Sequence, residues 1–128
     1  PPRRHRGSAV GDLNGDGRLD VVVVSLSGPA EIWINESPGG HWLELQLEGT
    51  RSNRDGVGAR VKVVSKGGQQ FNHVTFAAGY ASASAGPLHF GLGADETAST
   101  VEIRWPSGQL QRLSDVKAGR VVKVREPE

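Results

Sequence analysis

The chain is expected to be all-β, an antiparallel β-sandwich preceded by an N-terminal β-hairpin. Three observations point there. Apolar residues recur with period two in one short stretch after another, glycine-rich turns separate the stretches, and no segment sustains a helical period. The strands crowded into residues 41–128, with their regular turns, suit two packed sheets.

The elements follow in order. Pro1–Arg6 reads as a linker or the end of an upstream unit, a solvated arm despite Arg3, Arg4 and Arg6. Val21–Ser25 and Glu31–Asn35 are short strands, separated by a turn containing Gly28 and Pro29. Ser37-Pro38-Gly39-Gly40 is a linker, which divides the chain into residues 1–40 and 41–128. Trp42–Glu48 alternates Leu43, Leu45 and Leu47 with Glu44, Gln46 and Glu48. Ala59–Ser65 and Gln69–Ala77 flank Lys66-Gly67-Gly68, a tight hairpin. Leu88–Leu92 is a short strand. Thr100–Trp105 turns Val101, Ile103 and Trp105 inward, then passes through Pro106-Ser107-Gly108 into Gln109–Leu113. Arg120–Arg125 ends the series. Asp95–Ser99 and Ser114–Ala118 have room for one helical turn at most.

Composition excludes several classes. A net charge of +1 in 128 residues offers no field for nucleic acid. That charge is evenly spread: four basic and five acidic groups in residues 1–40, eleven and nine in 41–128. With no cysteine there is neither a disulfide nor a thiolate site. No apolar run approaches the roughly 20 residues of a membrane span, so no membrane insertion is expected. The chain has no methionine. It reads as a piece of a longer protein, so the lack of a signal peptide says nothing of the parent.

The richest chemical signal is Asp12-Leu13-Asn14-Gly15-Asp16-Gly17-Arg18-Leu19-Asp20. Oxygen side chains stand at loop positions one, three, five and nine, and Gly17 allows the backbone to curl. Ca²⁺ takes six to eight hard oxygen ligands at roughly 2.3–2.6 Å. Asp12, Asn14, Asp16 and Asp20 by their side chains, and Arg18 by its carbonyl, make a first shell for Ca²⁺. An EF-hand is rejected: its twelfth position needs a bidentate Glu, and here it is Val23 in the β-branched run Val21–Val24. An ordinary Asx turn is the competing account of the same residues.

Two resemblances add to this reading. Val10–Val23 followed by Ile32-Trp33-Ile34-Asn35-Glu36 resembles the end of an FG-GAP/VCBS-type repeat. Such repeats are blades of a β-propeller with a calcium loop, which implies a partial blade here and marks Asp12, Asn14, Asp16, Arg18 and Asp20 as ligands. Residues 41–126 resemble an ASPIC/UnbV domain. The pieces that carry this are His41-Trp42-Leu43, Gly49-Thr50-Arg51-Ser52-Asn53-Arg54-Asp55-Gly56-Val57-Gly58-Ala59, Gly79-Tyr80, His89-Phe90-Gly91-Leu92-Gly93 and Val101–Gly108. That family follows such repeats in exported proteins and brings no established activity.

No catalytic set emerges. His5, His41, His73 and His89 are scattered, and Ser82 and Ser84 lack a nucleophile elbow. Glu44, Glu48 and Glu102 read as solvated strand faces. Arg51, Asn53, Arg54 and Asp55, with Tyr80, form a candidate ligand-binding surface, since binding residues concentrate on loops held by a sheet. A structural turn around Asn53, Asp55 and Gly56 is the competing account. Trp105, ahead of Pro106, is a candidate for exposure, as a sugar-binding ring would be. The expected function is a non-catalytic, calcium-binding extracellular binding or adhesion module. The alternative is a carbohydrate-binding or carbohydrate-processing accessory domain. Its expected setting is extracellular, periplasmic or cell-surface, and its partner an extracellular protein or glycan.

Overall fold

A computed structural model describes residues 3–80 and 82–128. Pro1 and Pro2 of the expected linker, and Ala81 of the Gly79–Gly86 loop, lie outside the described residues. The fold is all-β, with ten strands among the described residues and no helix long and apolar enough to cross a membrane. Contacts divide it into two compact units. One comprises Pro1–Pro38 and Thr75–Gly86, the other Gly39–Val74 and Pro87–Glu128.

The first unit is an antiparallel sheet of β1 (His5–Gly11), β2 (Asp20–Ser25) and β3 (Glu31–Trp33), in that order. Strand β1 takes in His5 and Arg6 of the linker expected at Pro1–Arg6. Its glycines and charges carry no alternation, so it is defined by its partner, pairing Ala9 with Val22 and Val10 with Val21 across one register shift. Arg3 and His5 are tied to Glu31 on β3. The loop Thr75–Gly86 joins this unit, where the Ser8 N–H donates to Ser82 Oγ at 3.1 Å. Val10, Leu13, Val24, Leu26, Ile32 and Trp33 remain exposed.

The second unit packs two sheets face to face. One runs β10-β4-β7, from β4 (His41–Glu48), β7 (Leu88–Gly93) and β10 (Arg120–Arg125). The other runs β6-β5-β8-β9, from β5 (Arg60–Ser65), β6 (Gly68–His73), β8 (Thr97–Arg104) and β9 (Leu110–Lys117). The core between them draws Leu43, Leu45 and Leu47 from β4, Phe90 and Leu92 from β7, and Val124 from β10. Facing these are Val61, Val63, Val101, Ile103 and Trp105. Period-two alternation put those side chains on single faces, and the faces meet.

Several expectations need correction. The sandwich is not purely antiparallel: β10 lies parallel to β4, with Leu43 opposite Arg120 and Leu45 opposite Val122. No hairpin joins these strands. The chain crosses to the other sheet between them, and such a crossover permits parallel pairing. The helical turns allowed at Asp95–Ser99 and Ser114–Ala118 are not formed. Thr97–Ser99 and Ser114–Lys117 extend β8 and β9 instead, pairing Thr97 with Lys117 and Thr100 with Ser114. Glu44 is buried rather than solvated, because β4 is the central strand and Val121 and His89 flank it on either side.

Trp105 is also buried, at 2% exposure, with its indole N–H donating to Gln111 Oε1 at 2.9 Å. A buried indole needs such an acceptor. Trp42 is half-buried and its ring stacks on His89, the centroids 6.4 Å apart.

Candidate functional site

Within the first unit, residues 12–19 connect β1 to β2 and curl as the Asx-rich sequence requires. Asp12 sits at the centre of the curl. Its Oδ1 accepts the N–H of Gly15 at 2.7 Å and of Asp16 at 3.1 Å, and its Oδ2 accepts that of Gly17 at 2.7 Å. Gly15 and Gly17 take φ of 75° and 84°, the left-handed region that glycine enters without strain. Asp20 is fully buried at the start of β2. Its two oxygens accept the N–H of Leu13 at 2.9 Å and of Asn35 at 2.8 Å, closing both ends of the loop.

Asp16 accepts the Arg18 N–H at 2.9 Å, an amide hydrogen of Asn14 at 2.9 Å and the Arg18 guanidinium. The Arg18 N–H holds its carboxyl below the usual range; burial opposes this, and Asn14 and the Arg18 guanidinium reinforce it. The loop thus brings Asp12, Asn14, Asp16, Arg18 and Asp20 into one turn. Among the described residues, no three His, Asp or Glu side chains converge closely enough to hold a metal ion. Asp12 and Asp20 face backbone donors.

In the second unit, the residues 49–58 loop follows β4, and its shape is set by a residue at the far end of the chain. Glu126, just beyond β10, is 2% exposed. Its Oε2 accepts three consecutive N–H groups, those of Thr50 at 2.8 Å, Arg51 at 3.0 Å and Ser52 at 2.8 Å. Its Oε1 accepts the hydroxyls of Ser52, at 2.9 Å, and Ser107. Successive backbone donors pointing into one concavity form an anion nest, and the chain fills its own nest. Burial pushes the Glu126 carboxyl up. The Ser107 hydroxyl, the N–H groups of Ser52 and Thr50 and the Ser52 hydroxyl overcome that and hold it at about 2.

The rest of the loop is turn chemistry. Asn53 donates its amide to the Val57 carbonyl and accepts the Val57 N–H, both at 2.8 Å. Gly56 takes φ of 64° against Leu47 and Trp105. Arg51, Arg54 and Asp55 are exposed, the last two lining a depression of about 320 Å³ with Glu48, Lys123 and Arg125. Tyr80 is exposed and belongs to the other unit, on Thr75–Gly86. Sequence reasoning missed Glu126 and Ser107. A single Glu after a strand and a Ser in a turn carry no local signal of a bond 19 residues apart.

The described geometry defines a two-sheet β module with a self-filled anion nest, joined to a smaller sheet with an Asx-rich loop. The ASPIC and UnbV family matches residues 49–128, from the nest loop to the residue pair beyond Glu126, and the chain belongs to that family. Cartilage acidic protein 1 of Mus musculus is 33% identical over 135 residues, covering 100% of this chain and 21% of its own length. Cartilage acidic protein 1 of Homo sapiens is 33% identical over 115 residues, covering 86% of this chain and 17% of its own length. The chain therefore spans about a fifth of the curated relatives it matches. Family membership is consistent with a non-enzymatic domain.

Proposed function

We propose that the chain is a calcium-binding, non-catalytic binding module of a larger extracellular protein. The observation that carries this is the curl of residues 12–20, which places the oxygen-bearing side chains of Asp12, Asn14, Asp16 and Asp20 in a single turn. All are hard oxygen donors, the set that suits Ca²⁺. Asp12 Oδ2 and both oxygens of Asp20 accept one backbone N–H apiece, and each keeps a second lone-pair site. The ion supplies positive charge among Asp12, Asp16 and Asp20. It would compete with the Arg18 guanidinium for Asp16, which argues for affinity of ~10⁻⁴–10⁻³ M, the range of extracellular modules. The cartilage name of the relatives supports the extracellular setting.

The sequence of residues 8–36 supports an FG-GAP/VCBS-type repeat. In that reading β1, β2 and β3 are part of a propeller blade, and exposed Ile32 and Trp33 are apolar surface for the rest of the parent. On the second unit, exposed Arg51, Arg54 and Asp55 are available to a ligand, while the Asn53 amide is already bonded to Val57; exposed Tyr80, on the first unit, is a separate aromatic candidate.

Titration calorimetry is the direct test. The parent chain is expected to give a saturable heat with Ca²⁺ and a much smaller one with Mg²⁺, which demands stricter octahedral geometry. Asp16→Ala should abolish the calcium heat. Indistinguishable heats for parent and variant would remove the assignment.

A second expectation concerns independence. A chain beginning at Gly40 should still melt cooperatively, because both sheets and their shared core lie beyond it. Loss of cooperative unfolding would show that the sandwich depends on residues before Gly40.

A further inference from the structure

The outer face of the four-stranded sheet concentrates charge that the chain as a whole does not. Core-facing Val61 and Val63 pair with Ile103 and Val101, so the residues between them point away from the core. In one cross-strand row His73, Arg60, Arg104 and Leu110 stand side by side. In the next stand Phe71, Lys62, Glu102 and Arg112. Four cations thus face a single carboxylate, on a chain whose net charge is +1. Glu102 is already paired with Arg112 at 2.9 Å, which leaves Arg60, Lys62 and Arg104 without an acidic partner within that patch. They line a depression of about 680 Å³ with Phe71, His73 and Glu102.

Spacing gives the patch its meaning. Neighbouring strands lie about 4.8 Å apart, and alternate residues on one strand about 6.8 Å apart. Like charges directly opposite each other, as Arg60 and Arg104 are, destabilise a sheet. An anion lying between them reverses that sign, and guanidinium forks bind oxyanions bidentately. The third row, Gln69, Val64, Thr100 and Ser114, offers an amide and two hydroxyls beside the cations. Charge next to neutral hydrogen-bonding groups complements a chain that carries both oxyanions and hydroxyls.

We propose that this face binds a sulfated polysaccharide through Arg60, Lys62 and Arg104. Single-stranded nucleic acid needs a platform of several stacking rings. These rows hold two rings, the His73 imidazole and Phe71, too few for such a platform; Phe71 is exposed by 69%, and the Lys62 ammonium lies over it at 5.9 Å from the centroid. An acidic peptide would use the cations but leave the hydroxyl and amide row idle. The proposal rests on the reading of the domain as a binding module and is independent of the calcium loop.

The test uses the full chain in chelator, on heparin, neutral dextran, polyglutamate and a single-stranded oligonucleotide, by surface plasmon resonance at several salt concentrations. Heparin should bind, weaken steeply with salt, and be preferred over the other three. Arg60→Glu/Arg104→Glu should weaken heparin binding by about tenfold or more, as two contacts turn from attraction to repulsion. Lys117→Glu/Arg120→Glu, the same charge change at the end of β9 and the start of β10, should stay within about twofold of the parent. If the reversed pair fails to fold, Arg60→Gln/Arg104→Gln with an unchanged melting temperature gives the same comparison. No heparin binding, an equal loss in both pairs, or equal binding of polyglutamate or oligonucleotide overturns the proposal. Because chelator is present throughout, those results leave the calcium assignment to calorimetry.

Discussion

A chain carrying Glu126→Ala is expected to melt roughly 5–10 °C below the parent at pH 7, a large shift for one residue just beyond the last strand. The carboxylate accepts three backbone N–H groups and two hydroxyls from the residues 49–58 loop and the Pro106–Gly108 turn. Removing it orphans those donors and unties the loop. The acid limb of the stability curve should change as well. Folding lowers this carboxyl from 4.5 to about 2, so through that window the unfolded chain binds more protons than the folded one. Stability therefore rises with pH there. The contribution is whole above about pH 5 and is lost as pH falls toward 2. Asp16, Glu31 and Asp95 are also lowered and add with the same sign. Glu126→Gln should flatten the parent's acid limb in thermal melts taken from pH 2 to 6. An unaltered limb would mean that Glu126 does not hold the loop in solution.

Gly49→Ala is expected to cost about 2–3 kcal/mol, as overpacking against a backbone that has little room to move does. A Cβ at Gly49 would stand 2.2 Å from the Asn53 carbonyl oxygen and 3.0 Å from that of Ser52. The loop cannot easily retreat. The Gly49 N–H donates to the Arg54 carbonyl at 2.9 Å, the Gly56 N–H to that of Asn53 at 2.9 Å, and Glu126 grips the other side. Urea denaturation should show a lower midpoint with an unchanged slope. A chain as stable as the parent would show that the 49–54 closure is looser than its hydrogen bonds imply.

These two residues also show how far the candidate site was legible. The turn account of the loop named Asn53 and Gly56, and both behave so: Asn53 bonds Val57 and Gly56 has positive φ. Close neighbours in sequence make those contacts, so residue type and spacing are informative. Gly49 belongs to the same quoted stretch, yet its close approach to Asn53 depends on the loop's closure. Glu126 bonds residues 74 to 76 positions away, a relation that no local pattern encodes.

The sequence by itself determined that strands form, where most of them lie, which of their faces are apolar and which oxygen-bearing residues share the 12–20 turn. Side-chain alternation and turn residues act between neighbours a few positions apart, and that is where such information resides. The tertiary structure alone decided that β1 exists, that β10 runs parallel to β4, and that Thr75–Gly86 belongs with the N-terminal sheet. It also decided that Glu126 fills the nest and that Arg60, Lys62 and Arg104 share one face. Each of these depends on which strand lies beside which. That choice is made by burying all the apolar faces at once, and only the assembled core expresses it.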